Sequence, residues 1–302
     1  MKDTKTLQIQ AVLYKNAVDA LERSLFSLAN AVLREQKRGG LASATLLWGD
    51  ASPSPVYSEE QIRALNKTLA ATFDGNAPLT LEYRFFNENT GYGKGHNLLF
   101  ANCSADMLMV LNPDIVVCHN FFEEMLAPFS NPSVGLTEAR QTPVEHPKHY
   151  NKKTGETPWS SGACFLMPSR LYGELGGFDH ESFFMYCEDV DLSFRIRQTG
   201  KKLIYRPSAP VYHGKRFDDR TGELEHTYTE LRYSVESQII LAHKWKQKHM
   251  LSYLLSICRN GDENQRAAVA SYEKRLAEGS LSCVSGDTHV FKQSHLKNRY
   301  SM

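Results

Sequence analysis

M-L-M-V-L-N-P-D, residues 107–114, is five apolar residues closed off by Asn-Pro-Asp. A run this short and wholly apolar fits a strand buried on both faces, as the strands of a parallel sheet are. Upstream, L-Q-I-Q-A-V-L-Y (7–14), A-T-L-L-W (44–48) and residues 79–86 read as further strands. Between them lie two helical patterns, 17–34 with Leu21, Leu25, Leu28 and Val32 on one face, and 59–73. Gly39-Gly40, Gly49-Asp50 and the Pro/Ser-rich stretch 51–58 punctuate these units. A glycine turn, N-T-G-Y-G-K-G (89–95), precedes a helix-like run at 96–103. Downstream, 121–129 reads as a helix, and 134–137, 159–168 and 202–206 as strands. Strands alternating with helices at this spacing predict the α/β class, with a doubly wound, mostly parallel central sheet flanked by helices. Beyond Glu223 the composition turns to Tyr, His and Lys, with one long helix at 224–256, another at 265–277 and a frayed tail at 280–302. The boundary is therefore drawn between an α/β domain, 1–222, and a C-terminal helical extension, 223–302.

The 302 residues are 41% apolar and 23% charged, ordinary for a soluble globular chain, and the formal charge of +1 gives no reason to expect nucleic acid as a partner. Residues 1–6 are polar rather than a hydrophobic leader, and no apolar run approaches the roughly 20 residues that span a bilayer. A cytoplasmic protein is expected. The six cysteines, Cys103, Cys118, Cys164, Cys187, Cys258 and Cys283, show neither C-x-x-C pairing nor zinc spacing, which fits a reducing compartment.

In doubly wound sheets ligands sit beyond the carboxyl ends of the strands. Here those positions hold Tyr14 and Asn16, Asp50, the glycine turn with Gly91, Gly93 and Gly95, and Asn112-Pro113-Asp114. Asp50 taken alone reads as a polar loop residue. Asp114 offers hard oxygen to a divalent ion, and the isolated His213 of V-Y-H-G-K would tilt preference toward Mn2+ without excluding Mg2+. The polar segment 138–157 reads as a mobile loop closing over substrate, or equally as an ordinary surface loop. S-F-F-M-Y-C-E-D-V-D-L-S-F-R-I-R (182–197) places Glu188, Asp189 and Asp191 at a helix start, where the macrodipole favours negative charge. A carboxylate there, beside an apolar wall, suits a general base; a local Asp191–Arg195 pair at i,i+4 accounts for the same pattern.

L-N-P-D-I, N-T-G-Y-G-K-G-H-N, S-G-A-C-F-L-M-P, G-G-F-D and Y-C-E-D-V-D-L-S-F-R, in this order over residues 7–213, resemble bacterial family 2 glycosyltransferases of the rhamnosyltransferase type. The resemblance implies a GT-A, Rossmann-like fold and inverting transfer of a single sugar, L-rhamnose from dTDP-rhamnose first and a UDP-linked hexose or galactofuranose next. The acceptor it implies is a hydroxyl of a glycan or polyprenyl-linked acceptor in cell-surface polysaccharide synthesis. On the motif positions, Asp189 is the base with Glu188 and Asp191 as acidic neighbours, and Asp114 and His213 hold Mn2+ or Mg2+. Asp50 meets the nucleotide base, and Tyr14, Asn16, Gly91, Gly93, His96, Asn97 and Asn112 line the nucleotide-sugar donor. Trp159, Ser161 and Gly162 are expected to face the acceptor.

Two departures stand out. Asn112-Pro113-Asp114 keeps one carboxylate of the DxD-type motif, and G-D-A-S-P-S replaces the usual D-N-x-S-x-D. The absence of Q-x-x-R-W argues for single addition rather than processive synthesis. Lys244, Trp245, Lys246 and Lys248 beside Leu251, Leu254 and Leu255 resemble a helix laid on the inner membrane face; packing on the sheet, or on a second subunit in a homodimer, fits equally. A degenerate GT-A carbohydrate-binding protein is the non-enzymatic alternative.

Overall fold

The computed structural model describes residues 4–145, 148–214, 228–286 and 288. Its centre is a nine-stranded mixed sheet in the order β3-β2-β1-β4-β8-β6-β9-β5, with β7 also paired to β9. The strands are β1 (Lys5–Leu13), β2 (Leu41–Asp50), β3 (Thr80–Phe85), β4 (Met107–Leu111), β5 (Ile115–Val117), β6 (Val134–Thr142), β7 (Glu156–Thr157), β8 (Cys164–Pro168) and β9 (Lys202–His213). The first half, β3-β2-β1-β4, is parallel throughout. β8 runs antiparallel to both β4 and β6, and β6 is parallel to β9. Two reversals cancel, so β9 points the same way as β4. The carboxyl ends of β2, β4 and β9 thus open on one rim, which carries Asp50, Asn112 to Asp114 and His213.

Helices α1 (Val18–Lys37), α2 (Glu59–Thr72) and α4 (Phe121–Leu126) contribute to the core on one face of the sheet. α1 buries Leu21, Leu25, Leu28 and Val32 at helical spacing, and α2 opens on a Ser58–Gln61 capping box. A second core gathers α5 (Ser169–Glu174), α6 (Glu188–Gln198), and Phe165, Phe178 and Leu203. A third joins Trp159, Phe183, Cys187, Val190 and Phe194 to α7 (Tyr228–Lys244), α8 (Lys248–Arg259) and α9 (Glu263–Ala277). The C-terminal helices therefore share a core with α6. The boundary expected at 222/223 and most of the expected frayed tail lie outside the described residues.

Several elements depart from the sequence reading. Helix α3 (Gly91–Phe100) starts five residues early, inside the glycine turn, because tight packing selects glycine there despite its poor helix propensity. A Cβ on Gly91 (φ +66°) would lie 2.3 Å from the Phe184 carbonyl oxygen, and one on Gly95 would lie 2.8 Å from a Val12 methyl. The long helix expected over 224–256 breaks between α7 and α8, where Lys246 adopts φ +55°. The strand expected to end at 137 runs on to Thr142. Inside the stretch expected to be mobile, Lys148 and Glu138 are buried together as an ion pair.

Candidate active site

The rim is assembled by strand pairing. β5 pairs antiparallel with β9, setting Ile115 opposite His213, so Asp114 arrives beside the imidazole. Asp114 Oδ1 stands 3.7 Å from His213 Nε2. Gln141, paired on β6 with Val211, reaches the other ring nitrogen: its Oε1 is 2.9 Å from Nδ1. The Asn112 amide nitrogen lies 3.1 Å from Nε2. An imidazole bonded at Nδ1 to a carbonyl oxygen, with Nε2 turned to a carboxylate, is the arrangement of a metal-ligating histidine. Asp114 and His213 thus fit a divalent ion. Among the described residues no group of three or more His, Cys, Asp or Glu forms a protein cage, so other donors must complete the shell.

Asp189 lies in the first turn of α6, after Tyr186 and Cys187 at φ +70° and +65°, two consecutive non-glycine residues in the left-handed region. Its Oδ2 accepts the Gly162 N–H at 2.6 Å and its Oδ1 the Val190 N–H at 2.8 Å. The next residue, Ala163, accepts the Asn112 N–H through its carbonyl at 2.8 Å. Two consecutive residues therefore tie the Asp189 carboxylate to the Asn112-Pro113-Asp114 turn. Tyr92 Oη donates to the Gly162 carbonyl. Burial, with the charges of Glu188 and Asp189 nearby, pushes the Tyr92 phenol well above its usual 10, so it remains a donor.

The other acids are placed differently. Asp191 is wholly buried; Oδ2 meets Arg195 Nε at 2.8 Å, and Oδ1 meets Lys244 Nζ at 2.8 Å and Trp245 Nε1 at 3.0 Å. It anchors α6 to α7 and has no face toward the rim. Glu188 is buried near Gly93.

Around the residues expected to line the donor, Asn16 Oδ1 accepts the Tyr14 N–H, Lys15 N donates to Ser52 Oγ, and the Tyr14 ring stays exposed. Asp50 is wholly buried. Its two oxygens accept from Ser52 N and Val56 N at 2.8 Å each and from the Tyr83 hydroxyl, so it shapes the loop after β2. Asn97 mimics backbone, donating to the Phe178 carbonyl and accepting from Phe178 N and Tyr172 Oη. His96 is buried under Tyr92, and burial pushes its pKa down to about 3. Gly91 and Gly93 meet Phe184 and Phe178, so the close approach they permit is that of the 178–184 segment.

Of the residues expected to face the acceptor, Trp159 is buried, its ring 4.2 Å below Lys148 Nζ. Ser161 is buried too, bonded through N and Oγ to Glu138 Oε1. Sequence reasoning missed Glu138, Gln141, Lys148 and Tyr92. Tyr92, an aromatic between two glycines, carried the one local signal.

The solved structure of GalNAc-T7 with UDP, GalNAc and Mn2+ superposes with TM-score 0.61 at 15% identity, covering 93% of this chain and 56% of that one. The mannosyltransferase PcManGT of Pyrobaculum calidifontis, in complex with GDP-Man and Mn2+, gives 0.56 at 14%, covering 92% and 83%. The fold is GT-A, the architecture of a large class of glycosyltransferases.

Over part of its length the sequence is similar to curated rhamnosyltransferases. The N-acetylglucosaminyl-diphospho-decaprenol L-rhamnosyltransferase of Mycobacterium tuberculosis is 49% identical over 57 residues, 19% of this chain and 18% of that protein. The rhamnosyltransferase WbbL of Escherichia coli K12 is 27% identical over 169 residues, 43% of this chain and 64% of that protein. The chain spans less than two thirds of either relative. No family model matches it.

Proposed function

We propose that the chain is an inverting glycosyltransferase moving one sugar, L-rhamnose from dTDP-rhamnose, to a hydroxyl of a glycan or polyprenyl-diphosphate-linked acceptor. The observation that carries this is the pair of residues 162 and 163, one holding the Asp189 carboxylate and the other the turn that presents Asp114. The lipid-linked acceptor follows from the similarity to the mycobacterial N-acetylglucosaminyl-diphospho-decaprenol L-rhamnosyltransferase.

In this reading Asp189 removes the acceptor proton as the hydroxyl oxygen attacks the anomeric carbon and the bond to the nucleoside diphosphate breaks. The Gly162 N–H and the helix start orient the carboxylate for that transfer. Tyr92 fixes the Gly162 peptide from the other side. Asp114 and His213 would hold Mn2+ or Mg2+, whose charge offsets that of the departing diphosphate.

Asp189→Asn tests the assignment. Transfer, followed as release of dTDP or UDP from a panel of sugar nucleotides, should fall by about 10²- to 10⁴-fold. Donor affinity by calorimetry should hold. Normal turnover in the variant would reject Asp189 as the base.

No helix among the described residues is long and apolar enough to cross a membrane. Lys244 and Trp245, expected at a membrane surface, are buried. Membrane contact is therefore proposed for the outer face of α8, where Tyr253 and Ile257 are 61% and 42% exposed beside exposed Lys248 and His249. Flotation with anionic vesicles should be lost in Tyr253→Ser/Ile257→Ser.

A further inference from the structure

A buried polar chain runs beneath the rim, and three of its members, Lys148, Glu138 and Gln141, lie outside the motifs that carry the transferase reading. Lys148 Nζ meets Glu138 Oε2 and the Trp159 carbonyl, the latter at 3.2 Å. Glu138 Oε1 receives the Ser161 N–H at 3.1 Å and Ser161 Oγ at 3.0 Å. Ser161 Oγ lies 2.8 Å from Gln141 Nε2, and Gln141 Oε1 lies 2.9 Å from His213 Nδ1. Glu138, Gln141, Ser161 and His213 are all buried, so water does not compete for these bonds.

The donor and acceptor roles along this chain follow from its fixed end. A backbone N–H can only donate, so Glu138 Oε1 is an acceptor. The Ser161 hydroxyl points its hydrogen at the same oxygen, which leaves its lone pairs for Gln141. Gln141 must then offer Nε2 to Ser161 and turn Oε1 to His213. An amide oxygen accepts only, so His213 Nδ1 must carry the proton. Asn112 Nδ2, a donor, faces Nε2 at the far side of the ring, which is consistent with a lone pair there.

Resting on the transferase reading of the Asp114–His213 pair, we propose that Gln141, oriented by Ser161 and Glu138, is a positioning residue that locks His213 in the Nδ1–H tautomer with its Nε2 lone pair toward Asp114. The metal side of the site and the loop 159–162 are thereby set by one buried ion pair. Lys148 supplies the counter-charge that lets Glu138 stay in the core. This gives Ser161 an orienting role behind the rim, in place of contact with the acceptor.

The test uses the full chain labelled with ¹⁵N-histidine, with the His213 signals assigned by their loss in His213→Gln. Long-range ¹H–¹⁵N spectra should show Nε2 as the unprotonated ring nitrogen. Mn2+ affinity, measured by calorimetry with the metal alone and with dTDP, should fall about 10- to 100-fold in Gln141→Leu. In Gln141→Glu, which keeps an acceptor at Nδ1 but loses the donor to Ser161, it should fall less than in Gln141→Leu. A proton on Nε2 in the wild type overturns the proposal and needs no variant to fold. So does a folded Gln141→Leu with unchanged tautomer and unchanged Mn2+ affinity. A wild type with the Nδ1–H tautomer that takes up no Mn2+, alone or with dTDP, supports the positioning chain and refutes the metal-assisted transferase reading instead.

Discussion

Replacing Lys244 with Met removes one ammonium from between two carboxylates. Its Nζ lies 2.5 Å from Asp179 Oδ2 and 2.8 Å from Asp191 Oδ1, with the Lys244 side chain 7% exposed. Breaking a buried pair by deleting one partner costs about 3–5 kcal/mol, because an uncompensated charge stays behind. Asp191 keeps Arg195 and Trp245, and Asp179 keeps the Ser182 hydrogen bond and one-fifth of its surface in water, which points to the low end of that range. A loss of about 3 kcal/mol at pH 7 is therefore expected, or about 6 °C in Tm for a chain of this size. The effect carries a pH signature. Burial raises the Asp179 pKa, but the Lys244 charge and the Lys244 and Ser182 hydrogen bonds outweigh it and hold the carboxyl below its usual 3.8. A group depressed in the fold contributes stability above its unfolded pKa and loses it as pH falls through the folded value. The gap between wild type and Lys244→Met should thus narrow below about pH 4. Urea denaturation followed by tryptophan fluorescence at pH 7 and pH 3.5 reads both numbers. A loss below about 1 kcal/mol at pH 7, or a gap that widens in acid, would refute the reasoning.

Buried His96, its pKa near 3 against an ordinary 6.5, gives wild-type stability a dependence that falls by about 1 kcal/mol per pH unit below 6.5; His96→Gln should flatten that slope in urea titrations. Gly91→Ala should cost at least about 1–2 kcal/mol, from φ +66° and the Phe184 carbonyl oxygen 2.3 Å from the new Cβ; a variant with unchanged Cm would count against the α3 geometry. Trp245→Ala empties a fully buried site and should cost about 3–5 kcal/mol, read as a Cm shift with m unchanged. Tyr83→Phe removes a donor to Asp50 and should weaken sugar-nucleotide binding through the loop after β2; calorimetry with dTDP and UDP checks it.

The strand that opened the sequence reading, Met107–Leu111, was recognisable because a wholly apolar pentapeptide has few other uses, and the structure buries all five residues. The surrounding β-α alternation was equally plain. What the sequence hid lies in long-range pairing. The family resemblance already paired His213 with Asp114, but the three-residue strand Ile115–Val117 that brings them together is too short to leave a periodic signal. Glu138 and Lys148 stand in a polar stretch whose composition says surface, yet their mutual charge lets both be buried. Gly91, Gly93 and Gly95 read as a turn by local propensity, and the packing of Phe178, Phe184 and Val12 overrides it. Asp191 and Asp189 look alike two residues apart, but successive helical positions diverge by about 100° each, so one enters the core and the other the rim.

Gly162 and Ala163, adjacent residues, serve the two halves of the rim just before β8 enters the middle of the sheet. If β8 slid by one residue against β4, every side chain of the strand would change face, and the N–H now at Asp189 would leave with it. With Asp189 as the proposed base, alignment of an inner strand, normally a matter of folding alone, becomes a condition for proton transfer, and core substitutions along Cys164–Pro168 would register first as lost turnover in a protein that still melts cooperatively.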